Sequence, residues 1–115
     1  MRLKIYQIDA DKDPMLLRFM GGAYLQQTLG TFRVDPAMYL CVYDGDLPAT
    51  CLNDVYLICN MDLRPRGYQG RSLSISDVIA VLQSDTVTPG YYFCDELGFR
   101  KIEFDASLAS TASGA

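Results

Sequence analysis

The 115-residue chain contains no histidine. That absence removes Ser-His-Asp and Cys-His nucleophile systems, the H-E-x-x-H metalloproteases and most catalytic zinc or non-haem iron sites. Any enzyme built from this chain would have to work with carboxylates, Lys, Arg, Tyr or Cys. Closely spaced cysteine pairs are missing too. Cys41, Cys51, Cys59 and Cys94 lie 10, 8 and 35 residues apart, which reads as scattered reduced thiols rather than a zinc site. No apolar run approaches the ~18 residues of a membrane span, and MRLKIYQIDADKD turns acidic before a signal-peptide core could form. The expectation is a cytoplasmic protein with no membrane segment, no metal and no cofactor.

Charge is sparse and uneven. Net charge is −4, with 21% charged and 50% apolar residues, a globular composition for one ordinary domain. Between Val34 and Leu63 there are five acids (Asp35, Asp44, Asp46, Asp54 and Asp62) and no Lys or Arg. Arg64, Arg66 and Arg71 then follow within eight residues. One short basic stretch on an acidic chain makes a poor general nucleic-acid binder, because affinity for a phosphate backbone needs several clustered cations.

What is present reads as α+β. Leu3–Ile8 alternates apolar and polar residues and predicts a half-buried strand, followed by a DADKDP turn. Asp9, Asp11 and Asp13 resemble the opening of a calcium loop, but the sixth and twelfth positions are Pro14 and Met20 where glycine and glutamate are needed. Gly21 and Gly22 separate an extended segment from a short helix over Ala23–Leu29, stopped by Gly30. Asp35-Pro36 has the residue types of a helix start, Met38–Tyr43 fits strand or short helix, and Asp44-Gly45 is a turn signal. Thr50 reads as the N-cap of a helix over about residues 51–61 carrying Leu52, Val55, Tyr56 and Cys59 on one face. Three strands joined by short loops, VIAVLQ, YYFCD and FRKIEF, predict an antiparallel meander, and residues 106–115 a flexible tail. The expected fold is an antiparallel sheet, made of the N-terminal strand plus this meander, packed by two or three short helices. The paired Tyr91 and Tyr92 suit a core or an interface equally.

The stretch most like a signature is GYQGRSLSISDVI, residues 67–79. It is not a P-loop: its glycines are three apart, no lysine follows, and a strand comes next. It lacks a base for a serine nucleophile, since Arg71 holds its proton too tightly. Leu73 and Ile75 fall on one face and Ser72, Ser74 and Ser76 on the other, so continuing the period would bury Asp77. A phase slip at Ser76-Asp77 is therefore expected, with these side chains accepting backbone N–H groups and bracketing the strand that begins at Val78. Such a bracket is worth ~1 kcal/mol, as a helix cap is.

The line NMDLRPRGYQGRSLSISDVI followed by YYFCDELGFRKI resembles the YodL-like domain, a small module of Firmicutes proteins often found in conjugative elements and phages. KIYQID and the Leu52–Asn60 segment fit as well, so the similarity covers most of residues 3–105, a single domain over 1–105. Its most specific part is the order of asparagine, Gly70-Arg71-Ser72, Ser76-Asp77-Val78 and the paired tyrosines. The resemblance implies a counter-defence or host-takeover role in a mobile element, without established catalytic chemistry. The expected function is thus a non-enzymatic module binding a host protein such as a restriction or CRISPR nuclease through Asp35, Asp44, Asp46, Asp54 and Asp62. The alternative is nucleic-acid binding by Arg64, Arg66, Tyr68 and Arg71, with Tyr68 stacking on a base.

Overall fold

The computed structural model describes residues 1–112. It has an α+β architecture, a six-stranded sheet with a helix on each face. The strands are β1 (Arg2–Ile8), β2 (Tyr39–Asp46), β3 (Val78–Gln83), β4 (Gly90–Asp95), β5 (Gly98–Ile102) and β6 (Ser110–Thr111), in the order β5-β4-β3-β1-β2-β6. The expected meander is present as β3-β4-β5, but the sheet is larger than expected and mixed. Strand β1 pairs antiparallel with both β3 and β2, and β6 joins β2 in parallel.

A central position explains why β1 is not half-buried. Leu3 and Ile5 enter one core with Ile79, Val81 and Val42, while Tyr6 and Ile8 enter the other with Val78, Ala80 and Phe93. The register against β2 shifts between Ile5 and Tyr6, a bulge at Val42 that puts two successive β2 residues, Val42 and Tyr43, in the same core while β1 keeps its alternation. The continuous apolar run of β3 has the same origin, since a strand covered on both faces has no polar side to show.

The first core is closed by α2 (Leu52–Ile58) through Val55, with Cys59 beyond its end, and by Leu73. The second is closed by α1 (Gly22–Leu29) through Leu25, and by Phe104, whose ring meets Tyr6, Tyr39 and Tyr91 at 5.1–5.4 Å. Helix α1 ends at Gly30 in the left-handed region (φ 81°), as its sequence predicts. The paired tyrosines thus pack on opposite cores, Tyr91 on the second and Tyr92 on the first, where the Tyr92 hydroxyl also donates to Thr88 O at 2.6 Å.

Several local expectations change. Helix α2 is shorter than 51–61 and its N-cap is Cys51, not Thr50. Asp54 in its first turn reaches back to accept both the N–H and the hydroxyl of Thr50, at 2.9 Å each, so Thr50 is held from within the helix instead of capping it. The segment open to strand or helix is strand β2, preceded by a 3-10 turn over Pro36–Met38 that Asp35 caps through Ala37 N–H. Asp44-Gly45 lies inside that strand, not at a turn. Gly45 is required there because a Cβ would meet the Tyr43 hydroxyl, which folds across it. Residues expected to be a flexible tail instead form a 3-10 turn at Ala106–Leu108 and strand β6, with Ala112 N–H donating to Cys41 O; residues 113–115 lie outside the described part. Among the described residues no helix is long and apolar enough to cross a membrane.

Candidate functional site

The 67–79 stretch folds over the end of β1 as a hydrogen-bonded bracket. Gln69 N–H donates to Val42 O on β2, and Gly70 passes so close that a Cβ would overlap Gln7 Oε1 and lie 2.9 Å from Val42. Arg71 N–H then donates to Gln7 Oε1, while Gln7 Nε2 donates to Arg71 O at 2.9 Å and to Asp77 Oδ2 at 3.0 Å. Asp77 Oδ2 also takes Ser74 N–H at 2.7 Å, and its Oδ1 takes Arg71 Nη2 at 3.3 Å. Backbone bonds from Ser76 N–H to Cys94 O, and from Cys94 N–H to Asp77 O, carry the chain into the β3-β4 ladder.

The phase slip falls where the serine periodicity puts it, at Ser76, whose φ is +82°. The side chains of Asp77 and Ser76 do accept backbone N–H groups, from Ser74 and Phe19 respectively. The slip does not keep Asp77 out of the interior, however, because both residues are fully buried. Gln7 was the residue missed, and a signal for it existed: it continues the Leu3, Ile5 face, where a polar side chain needs a buried partner.

Burial pushes the Asp77 carboxyl up to about 7, against the opposing pull of the Ser74 N–H, Arg71 and Gln7. An elevated carboxyl can signal catalysis. Here solvent does not reach it and its oxygens are occupied by Ser74, Gln7 and Arg71, so the arrangement clamps a loop to a strand. Tyr39, likewise pushed well above its ordinary value by burial, donates its hydroxyl to Ser76 O at 2.7 Å from the other core.

Outside the bracket the polarity turns toward solvent. Arg71 spreads over the Phe19 ring at 4.9 Å, and Arg18 approaches the same ring at 5.1 Å. Phe19 itself has φ 71°, and its N–H donates to Ser76 Oγ at 2.9 Å. Two non-glycine residues in the left-handed region are therefore bonded to one another, a concentration of strain that surrounding structure must hold in place. Arg18, Arg71 and Gln69 border a cleft of about 260 Å3 beside them.

The sequence-derived sets are dispersed differently. Asp35 and Asp46 stand at opposite ends of β2, roughly 20 Å apart by strand rise. Asp44 is paired with Arg2 at 2.5 Å, with Lys4 Nζ 4.0 Å away. Asp54 is bound to Thr50, which lowers its pKa through the Thr50 N–H and hydroxyl, while Asp62 is exposed just beyond α2. The five acids do not line up as one face.

Of the arginine set, Arg71 is turned inward to Asp77, and Arg64 donates to Ser72 Oγ at 2.8 Å with Tyr68 beneath it at 6.0 Å. Tyr68 stacks on Tyr43 (5.9 Å between centroids) and gives its hydroxyl to Arg71 O, leaving that ring committed to the fold. Arg66 is the exposed member left over. In the structural motif, Ser72 accepts from both Arg64 and, through its carbonyl, the Ser74 hydroxyl. No group of three His, Cys, Asp or Glu is placed to hold a metal among the described residues.

Fold and site together define an α+β domain organised on a buried glutamine and aspartate and a half-buried arginine that tie a loop to the central strand. The chain belongs to the YodL-like domain family, whose profile matches residues 2–104. No curated protein and no solved structure gives a significant match.

Proposed function

We propose that this domain is a non-enzymatic protein-binding module of a mobile genetic element. It acts in the cytoplasm by binding and blocking a host protein of the restriction or CRISPR nuclease class. The observation that carries this reading is the cluster of exposed apolar side chains at the end of α2: Leu57, Met61 and Leu63 are 67%, 60% and 90% exposed. Large apolar groups gathered over so few residues are costly to leave in water, and such groups mark association surfaces. Asp54 and Asp62 flank them on the helix side, with Arg64 and Arg66 beyond Leu63, so a complementary partner presents an apolar surface with cations facing that helix side. A nuclease has that chemistry around the groove in which it holds a phosphate backbone. What supports binding over catalysis is that Asp77, the carboxylate most strongly perturbed toward neutrality, is engaged inside the fold.

The test is affinity capture with the tagged chain, identification of captured proteins by mass spectrometry, and a nuclease assay on whatever is captured. Leu57→Glu with Leu63→Glu, and separately Asp62→Lys, should each remove the partner while circular dichroism stays unchanged. Capture of nucleic acid in its place, falling steeply with salt and lost in Arg66→Ala, would overturn the reading in favour of the alternative.

A further inference from the structure

A second cleft, unrelated to the α2 surface, lies between α1, the chain around Leu17 and the Arg33–Met38 stretch, with a volume of about 160 Å3. Ile8, Leu17, Leu25, Leu29, Val34 and Tyr39 form its walls. The polar groups near them are engaged elsewhere: the Tyr39 hydroxyl donates to Ser76 O, and Ser76 Oγ accepts Phe19 N–H. An enclosed apolar cavity of about 150 Å3 accepts a benzene-sized guest, and this cleft, partly open to solvent, offers comparable room between apolar walls. Two charged side chains, Arg33 and Asp35, also border the space. Asp35 is turned to Ala37 N–H at 3.0 Å, whereas Arg33 enters no ion pair among the described residues. Both charges remain on the rim, but the Asp35 carboxylate is held by the Ala37 N–H, so the donors the cleft offers an anion are those of the Arg33 guanidinium.

We propose that this cleft binds a small monocyclic aromatic carboxylate. Its ring sits among Leu17, Leu25, Leu29 and Val34, and its carboxylate meets the Arg33 guanidinium, whose planar donors match that group. The site goes beyond the protein-binding reading and stands or falls separately from it, since Leu57, Met61 and Leu63 take no part.

The experiment is an amide NMR titration of the full chain with two probes, benzoate and benzene. Both should shift the amides of Leu17, Leu25, Leu29 and Val34. Arg33→Gln should weaken benzoate by about tenfold, the loss of one charge-assisted contact, and leave benzene within about twofold. Leu29→Phe fills the cleft from a half-buried wall and should abolish both; if it fails to fold, Val34→Phe fills the same space from the other side. Absence of shifts at those four amides with either probe would overturn the site, as would binding that survives a folded cleft-filling variant. Benzene binding without benzoate binding, or benzoate binding indifferent to Arg33→Gln, would overturn the carboxylate assignment.

Discussion

Asp77 is withdrawn from water and compensated by Ser74 N–H, Gln7 Nε2 and Arg71 Nη2. Removing it orphans the Ser74 N–H and takes one acceptor from Gln7 Nε2, which keeps Arg71 O, and the carboxylate from the half-buried Arg71. Asp77→Ala should therefore cost about 2–3 kcal/mol, an orphaned buried donor plus a lost charge-assisted contact, and not the ~1 kcal/mol of a surface cap. Urea unfolding measures it. The sign of its pH dependence follows from burial. With the folded-state pKa raised to about 7, the native chain retains a proton that the unfolded chain has lost above the ordinary aspartate value. Stability from this group accordingly falls as pH rises from about 4 to about 7, by on the order of a few kcal/mol. Thermal melts at pH 5 and pH 8 should show that drop, and Asp77→Asn should flatten it. Gly70→Ala belongs to the same bracket, because its methyl would overlap Gln7 Oε1 and press on Val42, both inside packed structure. We expect a loss of about 2 kcal/mol, read in the same unfolding experiment. The turn character of Gly70, Ser76 and Asp77 could be read from residue type. Their depth could not, because it is set by residues distant in the chain, Gln7 for Gly70 and Asp77, and Phe19, Tyr39 and Cys94 for Ser76.

At the scale of elements, α1 and the β3-β4-β5 meander announce themselves through local signals: the glycine stop at Gly30, the apolar run of β3, and the alternation in β5. Segment 13–20 does not. Asp13 accepts the N–H groups of Leu17 and Arg18, and Ser76 accepts that of Phe19, so its path depends on a buried carboxylate and a distant serine instead of periodicity. Leu16 and Phe19 adopt φ of 58° and 71° along that path, and the two separate on substitution. Leu16 is 73% exposed, so Leu16→Gly should relieve strain while losing little packing, raising stability by up to about 1 kcal/mol. Phe19→Gly relieves the same strain but removes the ring under Arg18 and Arg71, which cancels the gain. Parallel thermal melts decide it: an upward shift for Leu16→Gly alone is expected, and equal shifts would show that the ring contributes nothing.

Over the whole molecule, the strand order puts the N-terminal strand in the middle and leaves β2 near an edge. Composition and periodicity give the α+β class, but not this order, because β1 is recognised as central only when both its neighbours are known. The consequence falls on the chain from Ala106 onward. Ser110 and Thr111 pair with Leu40 and Cys41, Ala112 N–H donates to Cys41 O, and Lys12 reaches the Ser110 hydroxyl. This short parallel strand covers the outer side of β2, whose remaining outer bond to the 67–79 bracket is Gln69 N–H to Val42 O. An uncovered, apolar strand edge pairs readily with another copy of itself, and native sheets blunt such edges with short strands. Truncation after Asp105 removes the two-residue ladder and the packing of Ala106 and Ala109 on the Phe104 core. It should lower stability by about 1–2 kcal/mol, a few backbone bonds and two methyl groups. It should also make the chain self-associate with rising concentration, which sedimentation velocity detects. A truncated chain that stays monomeric and melts with the full chain would mean that β6 is ornamental, and that Gln69 alone is enough to guard the edge.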